Sequence, residues 1–120
     1  MKEYRLFDGE YKFMCVIWDN EPINSTMLHK LCLEKLGWKK STTYTMIRKL
    51  SQKGIIKNEN AIVSAIVKRE QVKKYESEQL VNRVFDNSLP HFISAFLKDK
   101  KLTQKEANEI MKMIEEATEE

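Results

Sequence analysis

The chain has 120 residues, 42% of them hydrophobic, which suits one domain or a small domain with an appendage and allows a modest core. Its net charge of +3 is unevenly divided: residues 1–69 hold 13 Lys and Arg against 7 Asp and Glu, or +6, and residues 70–120 hold 8 against 11, or −3. The basic half suits a polyanion, while two histidines, three glycines, no glycine-rich phosphate loop and no G-x-S-x-G leave nothing from which an active site assembles, so no enzyme is expected.

The first helix has Asp8 as a candidate N-cap and Glu10 near the positive end of its dipole. Tyr11, Met14, Cys15 and Trp18 recur at i, i+3, i+4 and i+7, a core-facing stripe, and the helix is expected to end around Asp19 or Asn20. Pro22 and Ile23 read as a short extended piece. Asn24 or Ser25 can cap a second helix with Met27, Leu28, Leu31, Cys32 and Leu36 on its apolar face and Gly37 as its stop. Trp38 is expected to anchor the link to a third helix.

That third helix carries the functional signal. At about 100° per residue, Thr43, Met46, Ile47 and Leu50 fall on one side. Ser41, Tyr44, Thr45, Arg48 and Gln52 fall on the other, flanked by Lys39, Lys40, Lys49 and Lys53. Hydroxyls, an amide and a guanidinium are the groups that hydrogen-bond base edges and phosphates, so the segment reads as a DNA recognition helix. A solvated amphipathic helix is the plainer alternative. Gly54 is the expected C-terminal stop, and Ile55-Ile56-Lys57 and Ala61 to Val67, separated by Asn58-Glu59-Asn60, predict a β-hairpin. Helix, short strand, helix, helix and hairpin make a winged helix. Lys57 is the best wing contact to phosphate; a hairpin that only covers the core is the other reading.

From Glu70 the pattern is helical: a long segment to about Asn87 with Val72, Tyr75, Leu80, Val84 and Phe85, then a second segment with Pro90 in its first turn and Leu89, Phe92, Ile93, Phe96 and Leu97 as its apolar positions. A capping-box signature, Thr103 to Glu106, opens a last helix using Ala107, Ile110, Met111 and Ile114. Such helices cannot bury all these side chains on one another, so a second copy of the chain is expected to cover the surplus. The dimer residues are then Tyr75, Leu80, Val84, Phe85, Phe92, Ile93, Phe96, Leu97, Ile110 and Ile114. A tail folded back on its own winged helix is the alternative. The whole is mostly α with a small β-hairpin: a winged helix-turn-helix DNA-binding domain over residues 1–69 followed by a three-helix dimerisation region over 70–120. Cys15 and Cys32 lack metal-ligand spacing and read as reduced core thiols, and no cofactor is expected. With no signal design and no apolar run near the roughly 20 residues that span a bilayer, a cytoplasmic protein without a membrane partner is expected.

The run Leu6 to Trp18, LFDGEYKFMCVIW, and the third-helix pattern T-x-x-T-x-[LI]-x-[RK]-L-x-x-K-G at Thr42, Thr45, Ile47, Lys49, Leu50, Lys53 and Gly54 resemble the penicillinase-repressor family. That family includes β-lactamase, methicillin-resistance and copper-responsive repressors. The resemblance covers residues 6 to 117 and implies a homodimeric repressor that binds a palindromic operator, an inverted repeat in double-stranded DNA, of antibiotic-resistance or related stress genes. It places Thr42, Tyr44 and Thr45 at base- and phosphate-contacting positions and Arg48 and Lys49 at phosphate or base-edge positions, with Lys40, Ser41, Lys53 and Lys57 completing the candidate DNA face. The resistance repressors are inactivated at an Asn-Phe bond, which corresponds to Ala95-Phe96, so a signal-activated protease is a candidate partner although the asparagine is missing. The tail has no cysteine, which excludes copper sensing through the C-x-C site of the copper-responsive members. From a different class, the competing reading is a winged-helix protein-interaction module; that reading calls for apolar residues where Ser41, Thr45, Arg48 and Gln52 stand.

Overall fold

The first helix, α1 (Asp8–Asn20), begins without a side-chain cap, because its N-cap residue is Phe7. Asp8 therefore lies in the first turn rather than at the expected cap, and the Glu10 carboxylate reaches back to accept the Phe7 N–H at 2.9 Å. The structure is a computed structural model and describes residues 4–119. Phe13, Met14 and Ile17 are fully buried, while Tyr11, Cys15 and Trp18 are only half-buried. The expected stripe is thus corrected by one step round the helix. Glu10, Phe13, Met14 and Ile17 have the same i, i+3, i+4, i+7 spacing, and in a run apolar from Phe13 to Trp18 the period alone does not choose between the two faces. Trp18 closes the edge of the core, its Nε1–H donating to the Val67 carbonyl at 3.0 Å.

Strand β1 (Ile23–Asn24) leads directly into α2 (Ser25–Leu36), where Asn24 Oδ1 accepts the Thr26 N–H at 2.8 Å as the expected cap. Leu28 and Cys32 are fully buried, but Met27 is exposed, because it lies about 100° from the line joining them. Gly37, at φ 69°, ends the helix in the left-handed conformation that a Cβ disfavours. Trp38 stacks on Phe13 with ring centroids 5.6 Å apart and so anchors the turn.

Helix α3 (Lys40–Gln52) buries Thr43, Ile47 and Leu50. Strands β2 (Ile56–Glu59) and β3 (Ile62–Ala65) form the wing, and β1 adds to β3 to give the antiparallel order β1-β3-β2, with Ile23 opposite Val63. The turn is Asn60-Ala61, at φ 53° and 64°, rather than Asn58-Glu59-Asn60. A two-residue turn with both φ positive matches the twist of the strands it joins, so Asn58 and Glu59 stay in the ladder opposite Val63 and Ile62.

The chain divides into two compact units between Leu80 and Val81. Helix α4 (Arg69–Phe85) therefore contributes its first turns to the winged helix, past the expected boundary after residue 69. Val72 is fully buried, the Tyr75 ring meets Tyr4 edge-on at 5.8 Å, and the Leu6 N–H donates to Glu76 at 3.2 Å. Arg69 ties the start of α4 to α1 through a 2.7 Å bond to Asp19, with its guanidinium 5.3 Å from the Trp18 ring.

In the second unit α5 (Leu89–Leu97) is capped by Ser88 Oγ, which accepts the His91 N–H at 3.1 Å, and α6 (Gln104–Ala117) by Thr103 Oγ1, which accepts the Glu106 N–H at 3.1 Å. Phe92 packs against Phe85 and Phe96 at 5.4 and 6.0 Å. No residue of α5 or α6 is buried. The architecture is the expected one: mostly helical, with a small antiparallel sheet beside the third helix. No helix among the described residues is long and apolar enough to cross a membrane.

Candidate nucleic-acid interface

With Thr43, Ile47 and Leu50 facing the core, the 3.6-residue repeat turns Ser41, Thr45, Arg48 and Gln52 outward, and all four are exposed. Thr42 and Lys40 are exposed on the flank of this arc and at its start. No side chain caps the N-terminus of α3, so its first-turn N–H groups stand open beside the Ser41 and Thr42 hydroxyls. Tyr44 is half-buried, with the Lys40 ammonium 6.0 Å from its ring centroid.

Two shallow grooves flank the helix. One is lined by Ser41, Thr42, Thr45, Met46 and Lys49. The other is lined by Tyr44, Ile47, Arg48, Ser51, Gln52 and Asn58, which brings helix and wing to one surface. Lys57 stands exposed next to Asn58 on β2.

Lys49 and Lys53 are placed differently from the other basic residues. Both ammonium groups lie against Glu10 Oε2, at 3.3 and 3.1 Å, and the Glu10 side chain is 2% exposed where theirs are 49% and 39%. The exposed ring of Phe7 lies under the same cations, 5.9 Å from Lys49 and 5.7 Å from Lys53, with Arg5 at 5.7 Å. Burial alone raises the Glu10 carboxyl, but the Phe7 N–H and the two lysines outweigh it and hold the group below the ordinary glutamate value. Its place near the positive end of the α1 dipole does not by itself mark Glu10 as a partner of α3. The available signal was its place on the i, i+3, i+4, i+7 stripe with Phe13, Met14 and Ile17, which predicts burial and hence a need for partners.

The remaining expected residues fall in the tail. Of the dimer set, Leu80, Val84, Ile93, Phe96, Ile110 and Ile114 are exposed, and Phe85, Phe92 and Leu97 are half-buried. Tyr75 is half-buried against Tyr4. Ala95 and Phe96 are both exposed within α5. Cys15 is half-buried and Cys32 buried, and burial pushes the Cys32 thiol up. Among the described residues no cluster of His, Cys, Asp or Glu could hold a metal ion.

A three-helix head, a wing and a polar, basic outward arc on the third helix define a winged-helix regulator. The profile of the penicillinase repressor family matches residues 7–116, and the chain belongs to that family, one of DNA-binding transcription regulators rather than enzymes. The curated penicillinase repressor of Bacillus licheniformis is 24% identical over 116 residues, which span 93% of this chain and 91% of that one.

Proposed function

We propose that the chain acts as a homodimeric, sequence-specific repressor in the cytoplasm, occupying an inverted-repeat operator with two copies of α3 set one or more DNA turns apart. The observation that carries this reading is the exposed arc on α3, which shares a surface with the wing. Ser41, Thr42, Tyr44 and Thr45, at the N-terminal end, read bases and the nearest phosphates. Arg48 offers the two-pronged donor geometry that suits guanine or a phosphate, and Lys40 and Lys57 contact backbone on either side. The likeness to a penicillinase repressor supports resistance genes as targets.

The tail supplies the second copy. Leu80, Val84, Ile93, Phe96, Ile110 and Ile114 are large apolar side chains left exposed in one protomer, and a two-fold partner covers the same surface on both copies. A protease acting at Ala95-Phe96 would cut through this surface and release the operator; mass spectrometry of the protein from induced cells tests for that cleavage.

Selection of bound fragments from genomic DNA identifies the operator. On that sequence Arg48→Ala and Thr45→Ala weaken binding, by about 1–3 kcal/mol for the arginine, while sedimentation shows an unchanged dimer. Unchanged affinity in both variants would sink the assignment of the reading face. The competing role, a protein-docking module, finds no apolar surface on this arc: Ser41, Thr45, Arg48 and Gln52 occupy it.

A further inference from the structure

We propose that Glu10 is a specificity-determining residue, withholding Lys49 and Lys53 from DNA phosphates so that the N-terminal half of α3 selects the sequence. The proposal rests on the reading of α3 as the DNA-facing helix.

The geometry divides the carboxylate between two tasks. Oε1 accepts the Phe7 N–H at 2.9 Å, which fixes the side chain across the start of α1. Oε2 takes both ammonium groups, Lys53 at 3.1 Å and Lys49 at 3.3 Å. The carboxylate is 2% exposed beneath these part-exposed ammonium groups, so in the free chain the two lysines, and not water, satisfy Oε2. Moving either cation onto a phosphate leaves a buried charge short of a partner, and such a charge is costly. The Phe7 ring holds the same cations a second time from its exposed face. Lys40 and Arg48 have no carboxylate partner among the described residues and are free to meet phosphate or base.

The consequence is a graded helix. Its N-terminal half meets DNA with hydroxyls and unpaired cations, and its C-terminal half with cations already committed. Non-specific binding draws on charge alone, so a restraint on two lysines lowers it more than it lowers binding to the operator, where base contacts contribute.

The test is the salt dependence of affinity for a random-sequence duplex. Each phosphate contact adds about 0.9 to the slope of log K against log salt. Glu10→Gln keeps an oxygen for the Phe7 N–H but removes the charge that holds the lysines. It is expected to steepen the slope by about one to two, and each unit adds roughly a three- to four-fold loss of affinity between 50 and 200 mM salt. The ratio of operator to random-sequence affinity falls. The same substitution on a Lys49→Gln, Lys53→Gln background produces no steepening. Lys53→Gln alone flattens the slope far less than Lys40→Gln, which removes about 0.9. This comparison carries the test by itself if circular dichroism shows Glu10→Gln to be unfolded. A wild-type slope in folded Glu10→Gln, steepening that persists without the lysines, or equal flattening by Lys53→Gln and Lys40→Gln overturns the proposal. Failure of the DNA-facing reading shows itself differently, as unchanged affinity in Lys40→Gln and Arg48→Ala alike, and it removes this proposal as well.

Discussion

The two units of this chain treat large apolar side chains in opposite ways. In the winged helix Phe13, Met14, Ile17, Leu28, Leu50 and Val63 are wholly enclosed by helices on one side and a small sheet on the other. Beyond Leu80 the helices are as clearly amphipathic, yet none of α5 or α6 is buried, and Phe96 and Ile114 remain 52% and 59% exposed. The difference is one of enclosure. A three-stranded sheet and three crossing helices can surround a Phe; short helices in a segment of about forty residues lack the volume to do so. The first unit therefore encloses its own core, while the second leaves large apolar side chains exposed.

Truncation separates these two cases most sharply. Phe13→Ala removes a fully buried ring and its stack on Trp38, and we expect a loss of about 3–5 kcal/mol in urea unfolding, independent of protein concentration. Next in size is Ile110→Ser with Ile114→Ser, which takes apolar surface from α6. Here the unfolding midpoint should become strongly dependent on concentration and sedimentation should show monomer at concentrations where the parent is dimeric. A monomeric parent, or a double variant that unfolds like it, would break the comparison.

Helix caps sharpen it on a smaller scale. Asn24→Ala and Thr103→Ala each remove one accepted N–H, from Thr26 and Glu106, and each should cost about 1 kcal/mol. The loss at Asn24 belongs to the winged helix and is expected at every concentration. That at Thr103 is expected in the dimer's dissociation, because α6 has no buried face of its own. Equal, concentration-independent losses would argue that the tail folds unaided.

The winged helix was legible in the sequence because each of its elements ends on a residue with local meaning. Asn24 caps, Gly37 and Gly54 take positive φ, and the spacing of Thr43, Ile47 and Leu50 is a property of one segment. Misreadings came where two answers satisfied the same local rule. On α1 the stripe through Phe13 and Ile17 and the stripe through Cys15 and Trp18 share one period, and only packing from α2 and β3 decides between them. The wing's turn moved to Asn60-Ala61 because register against Val63 and Ile62, a cross-strand matter, outweighs the turn propensity of Asn58. The partnership of Glu10 with Lys49 and Lys53 joins residues about forty positions apart, and no spacing rule reaches that far. The outward arc of α3 could be read, but not which of its cations were already engaged.

That engagement gives the smallest expected effect, since one carboxylate changes and only the upper part of its titration is sampled before the fold yields. Glu10 is held below the ordinary glutamate value in the folded chain, burial opposing and the Phe7 N–H, Lys53 and Lys49 prevailing. A group lowered on folding adds stability that is complete above its unfolded value and is lost as pH falls through the folded one. The urea midpoint of the parent should thus decline more steeply than that of Glu10→Gln on entering the acidic range just below the ordinary glutamate value, and the two should converge in stronger acid. Lys49→Gln with Lys53→Gln should lose that steepness, because burial, the largest single influence on the carboxyl, then outweighs the Phe7 N–H. Parallel declines in parent and Glu10→Gln would mean that the carboxylate owes its ionised state to nothing the fold provides, and the lysines would then have no reason to stay away from phosphate.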